Sequence, residues 1–300
     1  MASSTLESVS AEAPAGILRR PGTRLWRRAR RNGLSFAALV AIALIALLAV
    51  LAPWVAPYDP DATDAQAVLE SPSLRHWLGT DIFGRDQLSR LIWAGRLDLL
   101  VAVSATAMAL TFGTVLGAVA GYRGGLVDQV VMRLVDTIMA FPAFILAMGI
   151  TAAAGNSTAN VVVAIAITHV PIYTRLIRGE MLRVREMEYA EAARTAGNRQ
   201  RRVIFYHLLP NCVPPVIVQA TLAMGFAILT VAALSFIGLG IQPPQSEWGA
   251  MTAEGASYIV SGEWWIFLFP GLAIMVSVLA FNLIGDTLRD LLDPRMRGVA

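Results

Sequence analysis

No lysine occurs among the 300 residues, and Cys212 is the only cysteine. A single thiol excludes an intrachain disulfide, a cysteine-built zinc site and a redox CxxC pair. Histidine is almost as scarce: His76, His169 and His207 stand far apart, and none belongs to an HExxH helix. Neither a Walker A run nor a GxGxxG occurs, which leaves the chain without a nucleotide site of its own. If ATP drives anything here, another polypeptide binds it. Charge is short as well, at 15% of residues against about 25% in soluble domains. The basic balance is carried by arginine alone, so the pI of 9.4 reflects where those arginines sit rather than a nucleic-acid role.

What is abundant is apolar surface, 56% of the residues, with a mean hydropathy of +0.60. This composition marks an integral membrane protein. About 20 uncharged residues cross the hydrocarbon core as a helix, and six segments qualify: 34–56, 97–121, 130–154, 161–178, 212–237 and 264–286. Only helices and closed barrels satisfy the backbone in lipid. Runs this long without period-two alternation are helical, and no tandem repeat is visible. The expected fold is an all-α polytopic bundle of six transmembrane helices.

Arginine placement gives the orientation. The lead, 1–33, carries Arg19, Arg20, Arg24, Arg27, Arg28, Arg30 and Arg31, a composition that favours disorder and attraction to anionic headgroups. The competing reading of the lead is a signal peptide, but the apolar run that follows exceeds an ordinary h-region. The loop between the fourth and fifth segments carries Arg183, Arg185, Arg194, Arg199, Arg201 and Arg202, and Arg289, Arg295 and Arg297 follow the sixth. All of these share one side when both termini face the cytoplasm. The expected organisation is a basic tail (1–33), a first helix with its extracytoplasmic loop (34–96), a transmembrane domain (97–288) and a short cytoplasmic tail (289–300).

Within that domain, 188–211 is a soluble-looking hairpin between apolar spans. Glu188 and Glu191 suit the start of a helix, Ala190, Ala192, Ala193 and Ala196 keep it slim, and Gly197 permits a reversal. A second amphipathic helix is expected over Val203, Ile204, His207 and Leu208, ended by Pro210. The bland alternative is an ordinary connecting loop; the sharper reading is a docking site for another protein.

The run Glu191-Ala192-Ala193, then Arg194, Gly197 and Leu209-Pro210, resembles the EAA signature of the permease subunits of bacterial ABC importers. The resemblance implies a type I importer permease fold in which Glu188, Glu191, Ala192, Ala193, Arg194, Gly197, Leu209 and Pro210 couple to an ATPase. A second block, His76-Trp77-Leu78-Gly79-Thr80-Asp81 followed by Gly84-Arg85-Asp86, Ser89-Arg90 and Gly95-Arg96, is similar to the outer loop of dipeptide, oligopeptide and nickel permeases. Ala56-Pro57-Tyr58-Asp59-Pro60 and the ending Asp293-Pro294-Arg295 resemble the second, C-type subunit of that group; Asp98 departs from it, since a small polar residue is expected there. The resemblance implies a heterodimer with a homologous permease, two ATPase subunits holding ATP and Mg, an extracytoplasmic solute-binding protein, and peptide cargo, with nickel or glutathione-like peptides as alternatives. It also places the protein in the bacterial cell membrane. No cofactor or metal is expected on this chain, and no nucleic-acid partner. The rival from another class is an ATP-independent secondary transporter.

Several residues carry two readings from sequence alone. Asp81, Arg85 and Asp86 suit ion pairs that hold the outer loop over the spans, or a surface that meets an external binding protein. Gly113, Gly117 and Gly121 form overlapping GxxxG patterns, suited to close helix packing within the chain or between subunits. Arg133 and Asp136 are spaced to pair with each other, and Pro142 and Pro171 mark expected kinks. Trp248 and Tyr258 suit interfacial anchors or part of a gate. His169 reads as a satisfied polar group before it reads as a ligand.

Overall fold

Apolar segments have one local way to satisfy their backbone groups in lipid, and this chain uses it throughout. The computed structural model describes residues 33–292. The seven arginines of the basic lead, and Asp293-Pro294-Arg295 with Arg297, lie outside the described residues. The helices are α1 (Gly33–Val55), α2 (Gln87–Arg123), α3 (Gly125–Met139), α4 (Ala143–Ala154), α5 (Thr158–Val184), α6 (Glu188–Thr195), α7 (Gln200–Phe236), α8 (Trp248–Ala256) and α9 (Trp264–Leu292). Among the described residues the only bridge of β type is the isolated pairing of Thr80 with Asp86.

Five of these helices, α1, α2, α5, α7 and α9, are long and apolar enough to cross a membrane, and the pair α3 and α4 makes a sixth span if counted as one. That third span carries the bend expected at Pro142. It breaks at 140–142 and bends by 86°. Pro142 supplies no N–H and disfavours helical geometry at Phe141, so the helix stops before it and restarts at Ala143. Pro171, by contrast, sits buried inside an unbroken α5.

The helix α2 starts ten residues before the apolar run that announced it, because its first turns are polar and buried. Asp86 caps it by accepting from Ser89 N at 2.8 Å, and Gln87 Nε2 donates to Ile266 O at 3.0 Å. Gln87 and Arg90 there reach partners 179 and 164 residues away, Ile266 and Glu254, a condition that apolar counting does not detect.

The bundle is built on the α2–α5 contact. Gly113, Gly117 and Gly121 lie on one stripe of α2; a Cβ on Gly113 would meet Tyr173 Cβ at 2.5 Å, and one on Gly117 would meet Thr174 O at 2.5 Å. These glycines therefore let two backbones approach within the chain, the first of their two readings. An outer apolar cluster joins Val101, Ala105, Ile165, Ile228, Leu234, Trp248 and Met251. An inner cluster joins Tyr173, Ile177, Met181, Val184, Ala190, Val203, Ile204 and Leu208. The inner cluster includes a residue of α6, so the short helix is rooted in the spans.

Candidate functional site

Eight residues form α6, too few to be stable alone. Ala190 and Ala193 turn inward, and Ala190 packs with Val203, Ile204 and Leu208. Half of the alanines expected to face a partner thus face the chain itself, where a larger side chain would lift the helix off its seat. Glu188, Glu191, Ala192, Thr195 and Ala196 remain on the exposed side. The carboxylates of Glu188 and Glu191 have no cation or donor among the described residues, and both lie in the first turn, where the helix dipole favours them. Arg194 turns back, donating through Nε to Ala190 O at 3.2 Å and through Nη2 to Arg185 O. Gly197 ends the helix at φ +75°, a conformation costly for residues with a Cβ.

The second arm differs from the sequence expectation. Pro210 does not end a helix; residues from Gln200 run continuously into the fifth span. A π turn, Val203–Leu208, immediately precedes Leu209 and Pro210. A proline ring clashes with the carbonyl four residues back in a regular helix, and the wider π turn relieves that crowding. Leu209 and Pro210 therefore lie inside the helix that enters the fifth span, and among the residues expected to couple only those of α6 form an exposed helical face.

On the opposite side, the outer loop is closed by buried charges. Asp81 is fully buried and accepts from Phe83 N at 2.8 Å, Arg85 N at 3.0 Å, Arg85 Nε at 2.6 Å and Arg90 Nη1. Glu254, on α8, accepts from Arg85 Nη2 at 3.2 Å and from Arg90 Nη1 at 3.1 Å. Asp86 belongs to a different set, receiving His76 Nδ1 at 2.9 Å and Ser89 Oγ at 2.7 Å. Thr80 accepts from Glu70 N at 2.8 Å and its carbonyl receives Trp265 Nε1 at 3.1 Å. Gly79 and Gly84 take φ of +77° and +73°, and a Cβ on Gly84 would sit 1.9 Å from Asp64 O. The outer block is thus a structural cap over α2, α8 and α9: Gly79, Thr80, Asp81, Gly84, Arg85 and Asp86 are buried in it, while Trp77 and Arg96 of the same block remain exposed.

Residues 113–298 match the model described as binding-protein-dependent transport system inner membrane component, and residues 21–72 match the N-terminal TM domain of oligopeptide transport permease C. The chain belongs to the family of binding-protein-dependent transport system inner membrane components. A dipeptide transport system permease protein of Alkalihalophilus pseudofirmus is 44% identical over 92% of this chain and 91% of its own length. A probable D,D-dipeptide transport system permease protein of Escherichia coli is 42% identical over 97% and 98%. A glutathione transport system permease protein of Pectobacterium atrosepticum is 41% identical over 93% of each chain. This permease is accordingly a multi-pass membrane transport subunit and not a catalytic enzyme.

Charges within the permease's spans pair differently from expectation. Asp136 takes Arg175 Nη2 at 2.6 Å rather than Arg133, and Asp128 takes Arg178 through both carboxylate oxygens at 2.5 and 2.6 Å. Both pairs cross from α3 to α5, because the bend after Met139 lays α3 along α5. His169 is satisfied within its own helix, its Nδ1 lying 2.9 Å from Ile165 O. Trp248 is no interfacial anchor: it is buried, with Nε1 donating to Leu91 O at 3.0 Å.

Asp98 meets Glu247 in the permease's interior. Both are fully buried, and both carboxyl groups converge on the first turn of α8. Glu247 caps α8 by accepting from Gly249 N at 2.8 Å and Ala250 N at 2.7 Å, while Asp98 Oδ2 accepts from Trp248 N at 3.2 Å. Asp98 Oδ1 has no donor. Two buried carboxyl groups sharing one site repel each other unless one keeps a proton. Burial pushes Glu247 above the usual carboxylate range, against the opposing pull of the Gly249 and Ala250 N–H groups. A carboxyl group whose folded pKa is raised stabilises the fold below its unfolded pKa, and that stability is lost as pH rises through the folded value. Asp98→Asn replaces the retained proton with a permanent amide donor. It is expected to raise stability at pH 8 by about 1–3 kcal/mol, with the gain shrinking towards pH 5. Melting temperatures of both proteins in detergent across that range decide it; a gain independent of pH contradicts the retained proton.

Proposed function

We propose that this permease forms, with a homologous second permease, the pathway of an importer for short peptides, powered by two ATPase subunits on the cytoplasmic side. The observation that carries the coupling role is α6, whose inner face is rooted in the span core while Glu188 and Glu191 stand exposed without a partner among the described residues. A rigid helix seated this way transmits displacement to α2, α5 and α7 instead of absorbing it. ATP and Mg belong to the partners, since the sequence has no phosphate-cradling loop. Binding of ATP draws the ATPases together and moves the arms, switching the bundle between two packings. Both termini face the cytoplasm, as the arginine placement requires, and an extracytoplasmic binding protein delivers the cargo.

Peptide cargo rests on similarity to the dipeptide permeases, and glutathione, itself a short peptide, is the nearest alternative. The test is reconstitution of this chain with its second permease, ATPases and binding protein in vesicles. Dipeptide uptake that requires ATP and copurifying ATPase is the expected result. Uptake from ATP-free vesicles overturns the reading in favour of a secondary transporter, and uptake of glutathione in preference to dipeptides changes the cargo.

A further inference from the structure

The elbow between α2 and α3 contains Gly124 and Gly125 at φ +64° and +56° and has an arginine clamp on each side. Before the elbow, Arg185 Nη1 donates to Gly121 O at 2.9 Å, one of the carbonyls left without an intrahelical partner at the end of α2. Beyond it, Arg178 grips Asp128 in the first turn of α3. Arg178 and Arg185 are seven residues apart, two helical turns, so they project from one face of α5. The carbonyl of Arg185 itself receives Arg194 Nη2 from α6. A continuous path of guanidinium bonds therefore runs from the coupling helix, through the end of α5, to the glycine elbow that aims the broken span α3–α4.

We propose that Arg185 is the positioning residue that makes α6 and the α2–α3 elbow move as one body, so that a displaced coupling helix reorients the broken third span. This rests on the coupling role assigned to α6. The surroundings leave Arg185 suited to it. Glu186 Oε1 accepts from its Nε at 2.9 Å and fixes the guanidinium plane, and a Cβ on Gly124 would come to 3.6 Å of Nη1. The fork holds a carbonyl and a carboxylate at once, which a lysine ammonium on a flexible stem does with less geometric control.

The test compares Arg185→Ala and Arg185→Lys in the reconstituted importer, with spin labels at Tyr189→Cys, on the side of α6 away from Glu191, and Gln129→Cys in a background carrying Cys212→Ser. In the parent the distance between labels is expected to stay constant when ATP is added. In Arg185→Ala the ATPase subunits copurify at parental levels and hydrolyse ATP, while peptide moved per ATP falls about tenfold, the equivalent of one charge-assisted hydrogen bond, and the label distance changes with ATP. Arg185→Lys restores part of the yield. A parental transport ratio with a constant label distance in Arg185→Ala overturns the proposal. If the alanine variant does not accumulate, Arg185→Gln carries the same two readouts. Failure of the parent itself to bind an ATPase refutes the coupling role of α6 instead, a distinct result.

Discussion

Asp81→Ala is expected to cost about 3–5 kcal/mol of stability, the scale for removing one partner from a buried ion pair. Its carboxylate is the acceptor for Phe83 N, Arg85 N, Arg85 Nε and Arg90 Nη1, all within the cap. Removal leaves Arg85 and Arg90 facing Glu254 alone, two buried cations against one anion. It also leaves the Phe83 and Arg85 N–H groups of the Gly84 turn without their acceptor. The Asp64–Arg75 pair of the same loop serves as control: its side chains are 37% and 62% exposed, and exposed pairs contribute about 0–1 kcal/mol. Arg75→Ala should therefore melt near the parent in detergent while Asp81→Ala melts far below it. Asp81→Asn, which keeps an acceptor oxygen but no charge, is expected between the two. Equal melting temperatures for Asp81→Ala and Arg75→Ala would show that the cap is not held by its buried charges.

The contrast within that cap explains how much of the molecule was legible in the sequence. Long uncharged runs announced the spans, because only an intrahelical bond network satisfies the backbone in lipid. The reversal at Gly197 was legible for a similar reason, as a local demand on φ. The partner of Arg90 was not, since Glu254 stands 164 residues away and nothing in its own neighbourhood marks it. Trp248 was read as an interfacial anchor from its chemistry alone, yet the packing of α8 against α7 puts it in the core. There a Cβ on Gly249 would meet Ala232 O at 2.2 Å. Pro142 signalled a kink, but the size of the bend is set by tertiary packing, with Asp128 and Asp136 drawn to α5. Pro210 misled in the opposite direction, because a π turn accommodated a residue that ordinarily ends a helix. In the candidate site, the alanine pattern of α6 was legible as slimness and not as direction. Only the fold reveals that Ala190 and Ala193 serve the chain's own core.

Gly197→Val and Glu191→Lys are expected to abolish ATP-driven uptake while leaving the permease in the membrane, each by a different physical route. A Cβ at Gly197 meets nothing within 4 Å, so valine causes no clash. Its cost comes from φ +75°, where a residue with a Cβ loses roughly 1–2 kcal/mol and a β-branched one more. That penalty falls on the turn closing α6, far from the span core, and unseats the end of the helix. Asparagine tolerates the left-handed region, so Gly197→Asn is expected to retain most of the uptake and separates backbone strain from any general intolerance. Glu191→Lys strains nothing: the side chain is exposed, and a cation in the first turn of a helix costs only about 0.3–1 kcal/mol. A change too small to unfold α6 can stop transport only at a surface where another protein reads the charge. Membrane level, copurifying ATPase and ATP-dependent dipeptide uptake measured together distinguish the routes. Glu191→Lys should lose ATPase binding, whereas Gly197→Val should lose at least roughly tenfold in uptake, the effect of about 1.4 kcal/mol at the joint. Uptake at the parental rate in both variants would leave α6 without the docking role assigned to it.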